Sequence, residues 1–188
     1  MPLLPNRFRQ HPLAHGYLIP LAALVRYGVV GWWSWRTGNL RFVQPRSYDA
    51  VLPANACACF LLLGLVPFAL TLGWRRTGLI LASAATLLAW ATSIQSPLNL
   101  DFGIDDLLVA HDRVIVGPDV ARMPLALSSV LMFSGFLFMW RAVRPDDSRR
   151  PILLALLGSL CAGYGLTGLA AYRTGLNGVE LWITYARL

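Results

Sequence analysis

The sequence predicts an all-α fold: a polytopic transmembrane helical bundle of about five spans, built on a repeated helical hairpin and forming a single domain over residues 1–188. Three observations lead there. The chain is 56% hydrophobic and only 13% charged, whereas a soluble domain carries about 25% charged residues. The missing charge is concentrated into uncharged stretches, and roughly 20 apolar residues suffice to cross about 30 Å of hydrocarbon. Finally, two of these stretches open on the same motif at the same internal spacing.

The five expected spans run over residues 17–35, 53–74, 78–94, 124–143 and 151–172. Each is expected to be helical, because a lone segment in lipid must satisfy its own backbone hydrogen bonds. Pro53, Pro124 and Pro151 stand at N-terminal ends, where a missing N–H costs little. Pro20 and Pro67 lie inside spans and are expected to kink them. The N-terminus lacks the small-residue cleavage pattern of a signal peptide.

The formal net charge is +7, and all sixteen basic residues are arginine. The arginines flank apolar segments instead of lining one polar face, so membrane lipids with anionic headgroups are the expected partner and nucleic acid is not. With the N-terminus in the cytoplasm of a bacterial inner membrane, the inside segments carry Arg7, Arg9, Arg75, Arg76, Arg141, Arg144, Arg149 and Arg150. The outside segments carry Arg36, Arg41, Arg46, Arg113, Arg122, Arg173 and Arg187 over about twice as many residues. In that orientation Trp32, Trp33 and Trp35 form an aromatic anchor at the outer interface.

Leu52-Pro53 opens the second span and Met123-Pro124 the fourth, with Gly64 and Gly135 recurring inside; 124 − 53 and 135 − 64 are both 71. Each span runs to a double arginine, Arg75-Arg76 or Arg149-Arg150, that precedes a return helix. Leu98-Asn99 and Leu176-Asn177 then open polar connections. Ala121-Arg122-Met123 leads into the fourth span, and Ala186-Arg187-Leu188 ends the chain. The logic of the repeat predicts a sixth span beyond it, the chain being the N-terminal portion of a longer protein.

Three strings carry a resemblance: Leu52-Pro-Ala-Asn-Ala-Cys-Ala-Cys-Phe-Leu-Leu-Leu-Gly64, Leu100-Asp-Phe-Gly-Ile-Asp-Asp-Leu-Leu108 and Ala121-Arg-Met-Pro-Leu-Ala126. They resemble the six-span N-terminal input region of bacterial histidine kinases and diguanylate cyclases, over about residues 52–188, including the Tyr172-Arg-Thr-Gly-Leu176 connection. The second hairpin departs from that pattern, with Ala126-Leu127-Ser128 in place of Asn-x-Ala, and the sixth span and cytoplasmic output domain are not in the sequence. The resemblance implies a sensor whose partner is a kinase or cyclase output domain in the same longer chain, hence two-component or cyclic-di-GMP signalling. It supplies neither an activity nor a stimulus.

Candidate ligand-sensing residues are Asn55, Asn99, Asp101, Asp105, Asp106 and Arg122 at the outer mouth, with Arg26 deeper in the first span. A charge at the bilayer centre costs at least about 2.5–3.5 kcal/mol on insertion scales. Arg26 must therefore pair within the bundle, snorkel to the interface or meet a ligand. The acids of the Asp101–Asp119 loop lack the alternation and terminal Glu of a Ca²⁺ loop, so they read as solvated loop acids.

Cys57 and Cys59 are two apart on a helix and point to nearly opposite sides. His11, His15 and His111 lie at unmatched depths, so no metal and no cofactor is expected. Neither a nucleophile motif nor a phosphate loop occurs, and an enzyme is not expected. Ala155, Ser159, Ala162, Gly163 and Thr167 form a small-residue stripe suited to a close helix seam within the bundle, with a homodimer face as the second reading. The function expected is a membrane-integral input module that relays a periplasmic or membrane-borne stimulus to a cytoplasmic output domain. The alternative is a standalone accessory subunit of a larger membrane complex, or a carrier of lipid or small solutes.

Overall fold

The computed structural model describes residues 18–42, 52–98, 102–104, 123–144, 158, 159 and 163. All regular structure among them is helical: α1 (Leu18–Thr37), a 3-10 turn (Leu40–Phe42), α2 (Ala54–Thr71), α3 (Arg75–Leu98) and α4 (Leu125–Val143). Three segments, Ala54–Thr71, Arg75–Gln95 and Leu125–Val143, are long and apolar enough to cross a membrane. Helix α1 is not among them, because Arg26, Arg36 and the polar tips of its tryptophans dilute its apolar character. The expected fifth span lies outside the described residues except at Gly158, Ser159 and Gly163, which are helical and exposed.

Both prolines that open the repeated motif act at helix starts. Pro53 (φ −60°, ψ 149°) and Pro124 (φ −56°, ψ 140°) are extended N-caps. Their carbonyls accept the first helical bonds, from Cys57 N–H at 3.1 Å and Ser128 N–H at 3.0 Å. Helix α2 ends in a paired-bond cap: Gly73 N–H donates to Leu70 O at 3.2 Å and Trp74 N–H to Ala69 O at 2.8 Å. Gly73 sits at φ +79°, a conformation that glycine adopts without a Cβ penalty. The turn is so tight that α3 starts at Arg75, three residues before the expected start at 78.

The helices run antiparallel in chain order, α1 on α2, α2 on α3 and α3 on α4, and α2 also meets α4. Helix α2 is therefore central: 50% of its spanning window is buried, against 33% for α3 and 28% for α4. That position explains why Cys57 and Cys59, on different sides of α2, are both buried. The interior is rich in small residues. Ala56, Cys59, Leu63, Ala85, Ala89, Met123 and Leu131 form its cluster, whereas Ile80, Leu87, Trp90, Phe133 and Phe136 are exposed. In water such a surface would be an aggregation liability. In lipid, helices associate by close packing of small residues, and large apolar side chains belong on the outside.

Close approaches between helices fall at glycines. A Cβ on Gly28 would lie 2.6 Å from Leu61 N and 2.8 Å from Leu61 Cα, so α1 and α2 meet backbone to backbone. Gly64 of α2 receives Val25 of α1, and Gly135 of α4 receives Thr86 of α3. One sequence expectation is corrected here: Trp32 and Trp33 are exposed, but Trp35 is 2% exposed and is not an interfacial anchor. It lies on the α2-facing side of α1, where its indole N–H donates to Leu52 O at 2.8 Å and ties the end of α1 to the start of α2.

Candidate functional site

One end of the bundle collects polar side chains that the helices bury. It comprises the C-terminal ends of α1 and α3 and the N-terminal ends of α2 and α4, an arrangement that follows from antiparallel packing. Ser34 of α1, Asn55 of α2, Thr92 and Gln95 of α3 and Ser128 of α4 are all buried there. This is the end expected to lie outside if the N-terminus is cytoplasmic.

Most of these groups satisfy themselves locally, as hydroxyls in apolar surroundings must. Thr92 bonds to Ala89 O at 3.0 Å and Leu88 O at 3.1 Å, one turn back. Asn55 Oδ1 accepts from Ala56 N–H at 2.9 Å. Ser128 donates to Leu125 O at 2.9 Å and accepts from Ser93 at 2.8 Å across the α3–α4 seam. Ser93 has Ala89 O as a second acceptor at 2.8 Å, but a hydroxyl carries one proton, so the two bonds compete. Interhelical hydroxyl bonds in membrane bundles couple weakly for this reason. A double-mutant cycle on Ser93→Ala and Ser128→Ala is expected to give a coupling of roughly 0.5–1 kcal/mol, read from unfolding in mixed micelles.

Gln95 and Ser34 differ from the rest. Gln95 is 3% exposed, yet among the described residues neither its Oε1 nor its Nε2 has a hydrogen-bond partner, and Ser34 Oγ is likewise buried without one. A buried unpaired polar atom costs about 1–3 kcal/mol. Gln95 is the larger liability, carrying both an acceptor and two donor hydrogens. The register between α3 and α4 puts Gln95 level with Ala126, between Met123 and Ser128.

Of the sequence candidates, Asn55 belongs to this end and is buried. Arg26 does not join it: Val25 and Gly28 face α2, and Arg26, about 100° round the helix from Val25, is exposed at mid-depth. Asn99, Asp101, Asp105, Asp106 and Arg122 lie outside the described residues. Among the described residues there is no Asp or Glu, and no group of three or more potential metal ligands. Gln95 is missed by sequence reasoning because apolarity drops after Ile94, which closes the expected third span; the helix continues to Leu98. The usable signal is a lone amide within one helical turn of an uncharged span.

Comparison with protein-family models, with curated proteins and with solved structures returned no match to this chain.

Proposed function

We propose that this chain is the membrane-embedded input module of a bacterial receptor, detecting a stimulus at the Pro53–Pro124 end and relaying it through helix displacement to a cytoplasmic kinase or cyclase domain. A relay needs a bundle with two packings whose balance the stimulus shifts. The observation that carries this reading is the Gln95 amide, buried and unsatisfied at that end. A resting state that leaves such a group unpaired is destabilised locally, and any state or ligand that pairs it gains correspondingly.

The finer topology belongs to the same proposal: five spans, N-terminus inside the inner membrane, and a hairpin used twice. Two features support the repeat. The N-cap geometry of Pro53 and Pro124 is alike, and Gly64 and Gly135 each admit the preceding antiparallel helix.

The test is the mass of the native gene product in source membranes, detected with an antibody to the Asp101–Asp119 loop. The expected product is far heavier than the 20.7 kDa of the chain and carries a signalling domain. A product near 20.7 kDa that copurifies with a partner lacking signalling domains would sink the receptor reading and favour the accessory-subunit one.

A further inference from the structure

The end of the bundle opposite Gln95 has a different chemistry. There the α2–α3 turn presents Trp74, Arg75 and Arg76, and the last turn of α4 presents Trp140, Arg141 and Arg144. Trp74 is 60% exposed and Trp140 41%, and Arg75, Arg76 and Arg144 are all exposed. The two sets are neighbours. Ser93 meets Ser128, Thr86 meets Gly135 and Ser83 meets Met139 along the α3–α4 seam, and that register carries on to set Thr77 level with Arg144. Packed helices lie about 8–10 Å apart, so the arginines of two adjacent helix ends share one level. Arg144 also lies over the Trp140 ring, 5.2 Å from its centroid, which holds the guanidinium beside the indole.

We infer that this Trp–Arg pair of helix ends is a binding site for the headgroup phosphate of an anionic phospholipid. Guanidinium groups match phosphate oxygens in a planar fork. The exposed Trp140 indole lies directly beneath Arg144 at this helix end, and tryptophan partitions to the headgroup region. No carboxylate among the described residues competes for Arg75, Arg76 or Arg144. In the sequence that follows, Asp146 and Asp147 are equalled in number by Arg149 and Arg150. The opposite end also has exposed arginines, Arg36 and Arg41, but these belong to the end of α1 and the 3-10 turn that follows it instead of two adjacent helix ends. A lipid site of this kind requires neither the sensory reading nor a particular direction of crossing.

The test uses the full chain, purified in a neutral detergent, with thermal unfolding followed as short-chain phosphatidylglycerol, phosphatidylcholine or inorganic phosphate is added. Phosphatidylglycerol is expected to raise the unfolding midpoint well above the shift given by phosphatidylcholine, and inorganic phosphate to give no comparable rise. A triple variant, Arg75→Gln, Arg76→Gln and Arg144→Gln, is expected to lose that selectivity. Each arginine removed weakens apparent affinity about fivefold, and all three about a hundredfold. A double variant at the other end, Arg36→Gln with Arg41→Gln, is expected to keep it and serves as the control for nonspecific charge loss. The lipid site is overturned if wild type does not distinguish the two lipids, if the triple variant distinguishes them undiminished, or if the Arg36/Arg41 variant loses the selectivity equally. A shift given equally by inorganic phosphate would also overturn it, by assigning the site to a free anion.

Discussion

Replacing Gly28 with alanine loosens the bundle, with an expected loss of about 2–3 kcal/mol in the folding equilibrium measured by detergent titration of the purified chain. Elsewhere in a helix the same change would help, because alanine exceeds glycine in helix propensity by about 1 kcal/mol. The sign reverses here because the new methyl meets Leu61 N at 2.6 Å and Leu61 Cα at 2.8 Å. Those are backbone atoms of the central helix, and no rotamer change can move them aside. Helices α1 and α2 must separate along their seam, which also lengthens the 2.8 Å bond from Trp35 to Leu52 O. Gly158→Ala is the matched control, since among the described residues nothing lies within 4 Å of a Cβ there. If both variants shifted stability in the same direction and by the same amount, the backbone contact between α1 and α2 would be wrong.

Substituting Gln95 with methionine has the opposite expected sign. Methionine keeps the length and much of the shape of glutamine while removing its polar atoms. Two buried amide atoms lose an unmet need for partners, so the resting bundle gains about 2 kcal/mol. In a receptor that gain is a defect, because the state in which the amide is paired no longer has an advantage. Under the proposed input-module function, the full-length protein carrying Gln95→Met is therefore expected to be more stable and unresponsive. A stabilised variant that responded normally would remove Gln95 from the relay. A destabilised variant would show that the amide is satisfied in the native membrane. The two measurements are separate, so loss of folding cannot pass for loss of signalling.

Much of this fold is legible in the chain itself, for particular reasons. Pro53 and Pro124 mark helix starts because a missing N–H costs least there, and both serve as N-caps one residue before α2 and α4. Gly64 and Gly135 recur at one spacing, and each is a place where the preceding helix comes close. The candidate site is less legible. Asn55 stands out because it follows the proline closely. Gln95 reads as a loop residue past the end of an apolar run, and Ser34 as one polar residue among tryptophans.

Composition alone determined that the chain is helical and suited to a membrane, because charge depletion sustained over about 20 residues is what a lipid-crossing helix requires. The order of residues also set the approximate starts of the apolar helices that follow Pro53 and Pro124. Only the tertiary structure decided which side of each helix faces inward. In water, apolar periodicity gives that side away; in lipid both sides are apolar, and the remaining signal is the weak contrast between small and large residues. Hence Trp35 turns inward while Trp32 and Trp33 stay outside, and Gly28, one glycine in an apolar run, makes the tightest backbone contact with α2. The burial of Gln95 likewise depends on where α3 and α4 meet, a distance that no single segment encodes.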